Sequence, residues 1–212
     1  MEEYSNSSIY KACEIGDLDY IKSFFEQNEN STNYMKIRKD LMLLHAMKKE
    51  KVNIVNYVLN ISKNICNDEK AVMLASRFAA SNNKLNVLKS IFSSFSDDKH
   101  LNENFKDGSI LEVAAMIGYM DIVQYLCELS NLKSKIDIHA RNDAVFVSTY
   151  QNKNFDVLKY FVFDLNIDIT SNIQEIIKAN KNVAHMFELR EINKSLKKEL
   201  EENKNNSKQI KI

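Results

Sequence analysis

The chain has 212 residues, enough to enclose a core, and its 29 Lys and Arg balance 29 Asp and Glu, so net charge favours neither nucleic acid nor an anionic membrane as a partner. With no proline and three glycines it is poorly suited to all-β folds that need many tight turns, and well suited to helices joined by Asn-rich loops. Cys13, Cys66 and Cys127 match no metal or disulfide spacing and read as small core residues in a reducing compartment. The opening Met-Glu-Glu-Tyr-Ser-Asn has no basic segment followed by an apolar one, and no apolar run nears the roughly 18 residues that span a bilayer. An intracellular, cytoplasmic protein is expected.

In chain order, residues 1–34 hold a first helix-turn-helix unit, with Ile9, Ala12, Gly16 and the run Ile-Lys-Ser-Phe-Phe from Ile21. Seven acids against two lysines give this segment a net charge of −5. The second unit inverts the sign: residues 35–65 carry seven basic residues and two acids, with Lys36, Arg38, Lys39, Lys48, Lys49 and Lys51 clustered. Such a cluster is either a solvated face beside an acidic neighbour or a docking patch for an acidic partner. A third unit runs from about Lys70 to Phe95, with Asn82-Asn83 between its helices.

The fourth unit, from Asp107 to Cys127, is the best formed. Asp107-Gly108 is turn chemistry. Ser109 offers a capping hydroxyl, Ala114 and Ala115 keep the first helix thin, and Gly118 suits the left-handed residue that ends it. The second helix places Met120, Ile122, Val123, Leu126 and Cys127 on one side and Asp121, Gln124 and Glu128 on the other. A fifth unit, residues 143–163, is flanked by Ile-Asp-Ile runs at 136–138 and 167–169. From Ser171 the pattern changes. Ser171-Asn172 can cap a helix starting at Ile173, whose apolar side is Ile173, Ile176, Ile177, Val183, Met186 and Phe187. Beyond Glu191 the chain is highly charged, and Leu189, Ile192, Leu196 and Leu200 run into it at helical spacing, which suits a fraying tail or a short coiled coil.

One register runs through these units. Asp19, Asn53, Asn86, Asp121 and Asp156 recur at steps of 34, 33, 35 and 35 residues. The residue before each marker, and those two and five after it, are all apolar, as in Leu18, Ile21 and Phe24 or Met120, Val123 and Leu126. Seven before each marker stands a small residue: Ala12, Ala46, Ala79, Ala114 or Thr149. Two helices and a turn cannot bury one apolar face alone, so units of this kind stack.

The unit around Asp107–Cys127 resembles an ankyrin repeat, and the resemblance covers roughly residues 7–170. It implies an all-α solenoid of about five units with short β-hairpin loops over residues 1–170. Residues 171–190 would be a C-terminal capping helix and residues 191–212 a charged tail. Lys135–Asp143 and Asn166–Ser171 resemble the run that forms the hairpin between ankyrin units. The chain departs from the family where Thr-Pro-Leu-His would open the first helix, and Glu50, Asn83 and Lys153 stand where Gly16 and Gly118 keep the inter-helix glycine. Loose turns and modest stability are the expectation. In composition the chain is most similar to the divergent ankyrin proteins of large DNA viruses of amoebae, which implies a host-cell location. A tetratricopeptide stack has a comparable period, but the Trp-x-x-Leu-Gly-x-x-Tyr opening is missing.

By that resemblance the function is protein–protein interaction through the concave face, by a monomer without cofactor. The positions carried over are Arg38, Lys48, Lys49, Ser81, Asn82, Phe105, Lys106, Met116, Ile117, Arg141, Asn142, Gln151 and Asn152. The alternatives are self-association through the C-terminal helix, or a tetratricopeptide-like helical-repeat adaptor. Enzyme motifs are missing: there is no phosphate loop, His-x-x-x-His pair, Gly-x-Ser-x-Gly elbow or Cys-x-x-Cys. Glu14, Asp17 and Asp19 read as a charged turn, since acid-base work needs a pocket that separates two carboxylate pKa values. His139 reads as a loop residue.

Overall fold

The computed structural model describes residues 6–28, 38–66, 69–94, 107–130 and 136–209, and among these every regular element is helical. The elements come in pairs. α1 (Asn6–Ile15) precedes α2 (Leu18–Asn28), α3 (Lys39–Lys48) precedes α4 (Val52–Cys66), and α5 (Glu69–Ser81) precedes α6 (Leu85–Ser94). α7 (Ser109–Ile117) and α8 (Met120–Ser130) follow, then α9 (Ala140–Gln151) with α10 (Phe155–Lys159), which continues as a π-helical turn at Tyr160–Asp164. α11 (Ser171–Ala179) and the long α12 (Lys181–Gln209) end the chain.

The first five pairs turn in the same way. Gly16, Glu50, Asn83, Gly118 and Lys153 all have left-handed φ, between 53° and 97°. The next residue in each turn, Asp17, Lys51, Lys84, Tyr119 or Asn154, donates its amide at 2.8–3.1 Å to the carbonyl of the small residue five positions back. This closes the carbonyls that a helix end leaves open. The turns with Glu50, Asn83 or Lys153 at the left-handed position therefore close as those with glycine do, contrary to the expectation from sequence. The residue supplying the carbonyl is Ala12, Ala46, Ala79, Ala114 or Thr149, and each is buried.

First helices contact one another in succession, α1 to α3 to α5 to α7 to α9 to α11, while α4 packs on α6 and α8 on α10 behind them. Small side chains allow the close approach of that front layer. The residues two and five after each marker, from Ile21 and Phe24 to Leu158 and Phe161, are buried. Leu18, Val52, Leu85, Met120 and Phe155 are partly buried against the same core. On α8, Ile122, Val123, Leu126 and Cys127 are buried while Asp121, Gln124 and Glu128 are exposed.

Three local expectations are corrected. Ser109 does not cap α7: Gly108 holds that position with φ 72°, the Ser109 amide donates to Asp107 Oδ1 at 2.8 Å, and the hydroxyl is buried. The two Ile-Asp-Ile runs form no strands among the described residues. Asp137 Oδ1 accepts the His139 amide at 2.9 Å, and Arg141, Asn142 and Asp143 then make a left-handed turn, so side chains satisfy donors that a hairpin ladder would use. The apolar side expected on one helix from Ile173 to Phe187 is divided between two. Thr170 caps α11 by accepting the Ile173 amide at 3.3 Å. Asn180 is extended, and its side-chain oxygen accepts the amides of Asn182 and Val183, starting α12 as a partner helix.

α12 buries Val183, Phe187 and Arg190. The Arg190 guanidinium lies over the Phe187 ring, 4.7 Å from its centroid, and donates to the Ile167 carbonyl at 2.7 Å. A planar, weakly hydrated cation suits such a buried stack. From Glu191 to Lys204 every residue is exposed.

Candidate interaction face

Each first helix spends one side on its partner helix and its flanks on neighbouring first helices, leaving an outer side. On α3, α5 and α7 that side forms a groove of about 410 Å³ lined by Leu41, Leu44, Leu74, Phe78 and Val113, with Asp40, Arg77 and Ser81 at its polar edge. Leu74 is 62% exposed, so its apolar surface is offered to whatever enters. Arg38 holds Asp40 through Nε at 3.2 Å and Nη2 at 2.6 Å. That contact keeps the Asp40 carboxyl below its ordinary pKa. Arg77 is exposed on the neighbouring helix.

The positions carried over from the family fall into several groups. Lys48 and Lys49 are exposed at the end of α3, and with His45 they lower the pKa of Glu14 on α1. The largest cause of that shift is the hydrogen bond between Glu14 and His45 Nδ1, 2.7 Å apart, while the His45 ring stacks on Tyr10. The acidic and basic units thus meet partly across their own interface. Asp17 accepts the Tyr20 amide at 2.9 Å, a helix-start contact.

Ser81 and Asn82 both donate to the Phe78 carbonyl, at 3.1 and 2.9 Å, closing the end of α5. Met116 and Ile117 are 36% and 38% exposed, so they offer part of their surface only. Gln151 and Asn152 are exposed at the end of α9. Arg141 binds the Glu112 carboxylate and donates to the Asp107 carbonyl at 3.2 Å, which engages its guanidinium within the chain. The Asn142 carbonyl accepts from Asn172 at 3.2 Å. Phe105 and Lys106 lie outside the described residues.

Asp143 anchors the left-handed turn. It is 2% exposed, with His139 Nδ1 at 2.6 Å from Oδ1, and Thr170 Oγ1 at 2.6 Å and Asn172 Nδ2 at 3.2 Å from Oδ2. Burial acts to raise its pKa, and the contacts from Thr170, His139 and Asn172 outweigh it, leaving the carboxyl below its ordinary value. The cluster joins α9 to the start of α11. His139 is thus a loop residue that helps to fix the turn.

Burial pushes the Cys13 and Cys127 thiols up to about 12, which removes thiolate character at neutral pH. A second hollow, about 430 Å³, lies between α9 and α11 and includes Tyr150, Asn172 and Ile176.

Sequence reasoning missed Leu41, Leu44, Leu74, Arg77, Phe78 and Val113. The available signal was on α5: Leu74 and Phe78 are apolar at i and i+4, off the side that Ala75 and Ala79 commit to the core. Among the described residues no helix is long and apolar enough to cross a membrane.

No protein-family model matches the chain, and no solved structure matches it. A curated protein to which it is similar is alpha-latrocrustotoxin-Lt1a of Latrodectus tredecimguttatus, 27% identical over 150 residues that cover 66% of this chain and 10% of the toxin. The chain spans about a tenth of the length of the curated relative that it matches.

Proposed function

We propose that this chain is a divergent ankyrin-repeat protein that acts as a non-catalytic interaction module, holding a partner protein on the concave face formed by its first helices. The observation that carries the reading is the groove across α3, α5 and α7 with Leu74 62% exposed. An exposed apolar side chain in a concave surface suits an interface anchor. The five equal turns and the register of 33–35 residues support the ankyrin assignment. Its test compares capture from the native cell by the wild type and by Leu74→Asp, followed by direct binding of the purified partner. Loss of one partner with Leu74→Asp, restored by Leu74→Met, supports the reading. A partner held equally by both variants places binding elsewhere.

One observation favours a second reading. Leu189, Ile192, Leu196 and Leu200 are 38–60% exposed along α12, a stripe suited to self-association. Molar mass by light scattering should fall to one chain when the protein is ended at Glu191, a cut that keeps Arg190. If the full chain already has the monomer mass of 24.6 kDa, the second reading is discarded.

A further inference from the structure

Resting on the reading that the groove is the binding face, we infer that its occupant is an amphipathic helix of a partner protein with carboxylates beside its apolar stripe. The walls decide between helix and strand. They are three helices, α3, α5 and α7, whose backbone groups are bonded internally away from their ends. Among the described residues an extended segment would find no free sheet edge there to pair its amides and carbonyls, whereas a helix brings its own bonds satisfied. Helices packed at about 8–10 Å spacing put about 20 Å between α3 and α7, which a helix of about 13 residues at 1.5 Å rise crosses.

Leu74 is the anchor at the centre of that path, since it is 62% exposed and Phe78 lies one turn along the same helix. Charge then selects the flank. The groove's acid, Asp40, is occupied by Arg38 at 2.6 Å, so the pair presents little net charge. Among the described residues that line the groove Arg77 remains as a cation at the edge, and Lys48 is an exposed positive side chain at the end of α3. A helix with Glu or Asp flanking its leucines gains there, and one with Lys or Arg is repelled.

The test is selection from a displayed library of random 14-residue peptides against the full chain, with synthesis and titration of the enriched peptides. Enriched sequences should carry apolar residues at i, i+3 or i+4 and i+7 with net negative charge. They should lose at least about tenfold in affinity with Leu74→Asp and with Arg77→Glu, the second loss shrinking in high salt. Both sites are exposed, and unchanged helicity and melting temperature confirm folding of each variant. Enriched peptides of net positive charge that still depend on Leu74 overturn the acidic helix and leave the groove in place. Peptides indifferent to Leu74→Asp overturn the groove itself. No enrichment overturns the inference.

Discussion

Left-handed backbone at a residue with a Cβ is the clearest cost carried by single positions here. Lys153 has φ 60° at the position that Gly118 fills with φ 92° in the preceding unit. A left-handed conformation costs a non-glycine residue about 1–2 kcal/mol, and glycine gives back about 0.5–1 kcal/mol through its freer unfolded chain. Lys153→Gly should therefore stabilise the protein by about 0.5–1 kcal/mol, seen as a higher urea midpoint at unchanged slope. Glu50→Gly should gain less, because Glu50 also accepts from Lys84 at 2.7 Å. A midpoint that does not move for Lys153→Gly would show that the turn carries no strain. Asp143 makes the opposite case, a polar residue that the fold needs. Its pKa is depressed by its hydrogen bonds, so its contribution is present above the unfolded value of about 3.9 and is lost as pH falls through the folded one. Asp143→Asn should cost about 1–3 kcal/mol at neutral pH, because one of the two acceptor oxygens becomes an amide donor and leaves a buried partner unpaired. Unfolding free energies against pH should show a smaller fall below about pH 4 for the variant than for the wild type. Equal acid limbs in the two proteins would remove Asp143 from the account.

At the scale of the element, the helix pairs were legible because burial repeats with the register. Ile21, Val55, Leu88, Val123 and Leu158 sit at one register position, and all are buried. The same regularity predicts an energy. Leu126→Ala removes a fully buried side chain from α8 and should cost about 2–5 kcal/mol, read from denaturant unfolding. A loss under about half a kcal/mol would take Leu126 out of the core. What was not legible depended on side-chain capping rather than on apolar spacing. The break at Asn180 has neither glycine nor proline to announce it, and only the side-chain oxygen that starts α12 explains it. The Ile-Asp-Ile runs carry hairpin composition, yet Asp137 and Asp143 satisfy local donors and no ladder forms among the described residues. Of the positions carried over by the repeat register, Ser81 lines the groove, whereas others close local helix ends, as Asn82 does on Phe78. Leu74 escaped because an apolar residue on a first helix reads as core until its neighbours are placed.

Across the whole molecule the acidic first unit and the basic second unit set a change of sign along the stack. Part of it is consumed internally, where Glu14 meets His45 with Lys48 and Lys49 close by. Lys48 and Lys49 remain exposed at the end of α3, and Met116 and Ile117 are partly exposed at the end of α7. Exposed rim charges act mainly on encounter, and their reach falls with a Debye length of about 8–10 Å at physiological salt. Apolar contacts that lose water on binding act mainly on escape. With a partner in hand, Lys48→Glu together with Lys49→Glu should slow association at low salt and approach the wild-type rate as salt rises. Met116→Ala with Ile117→Ala should speed dissociation at every salt concentration. Stopped-flow mixing and surface-based dissociation measurements separate the two. If the charge pair leaves association unchanged at low salt and the apolar pair leaves dissociation unchanged, the concave face is not where the partner sits. The exposed stripe of α12 from Leu189 to Leu200 then becomes the surface to mutate.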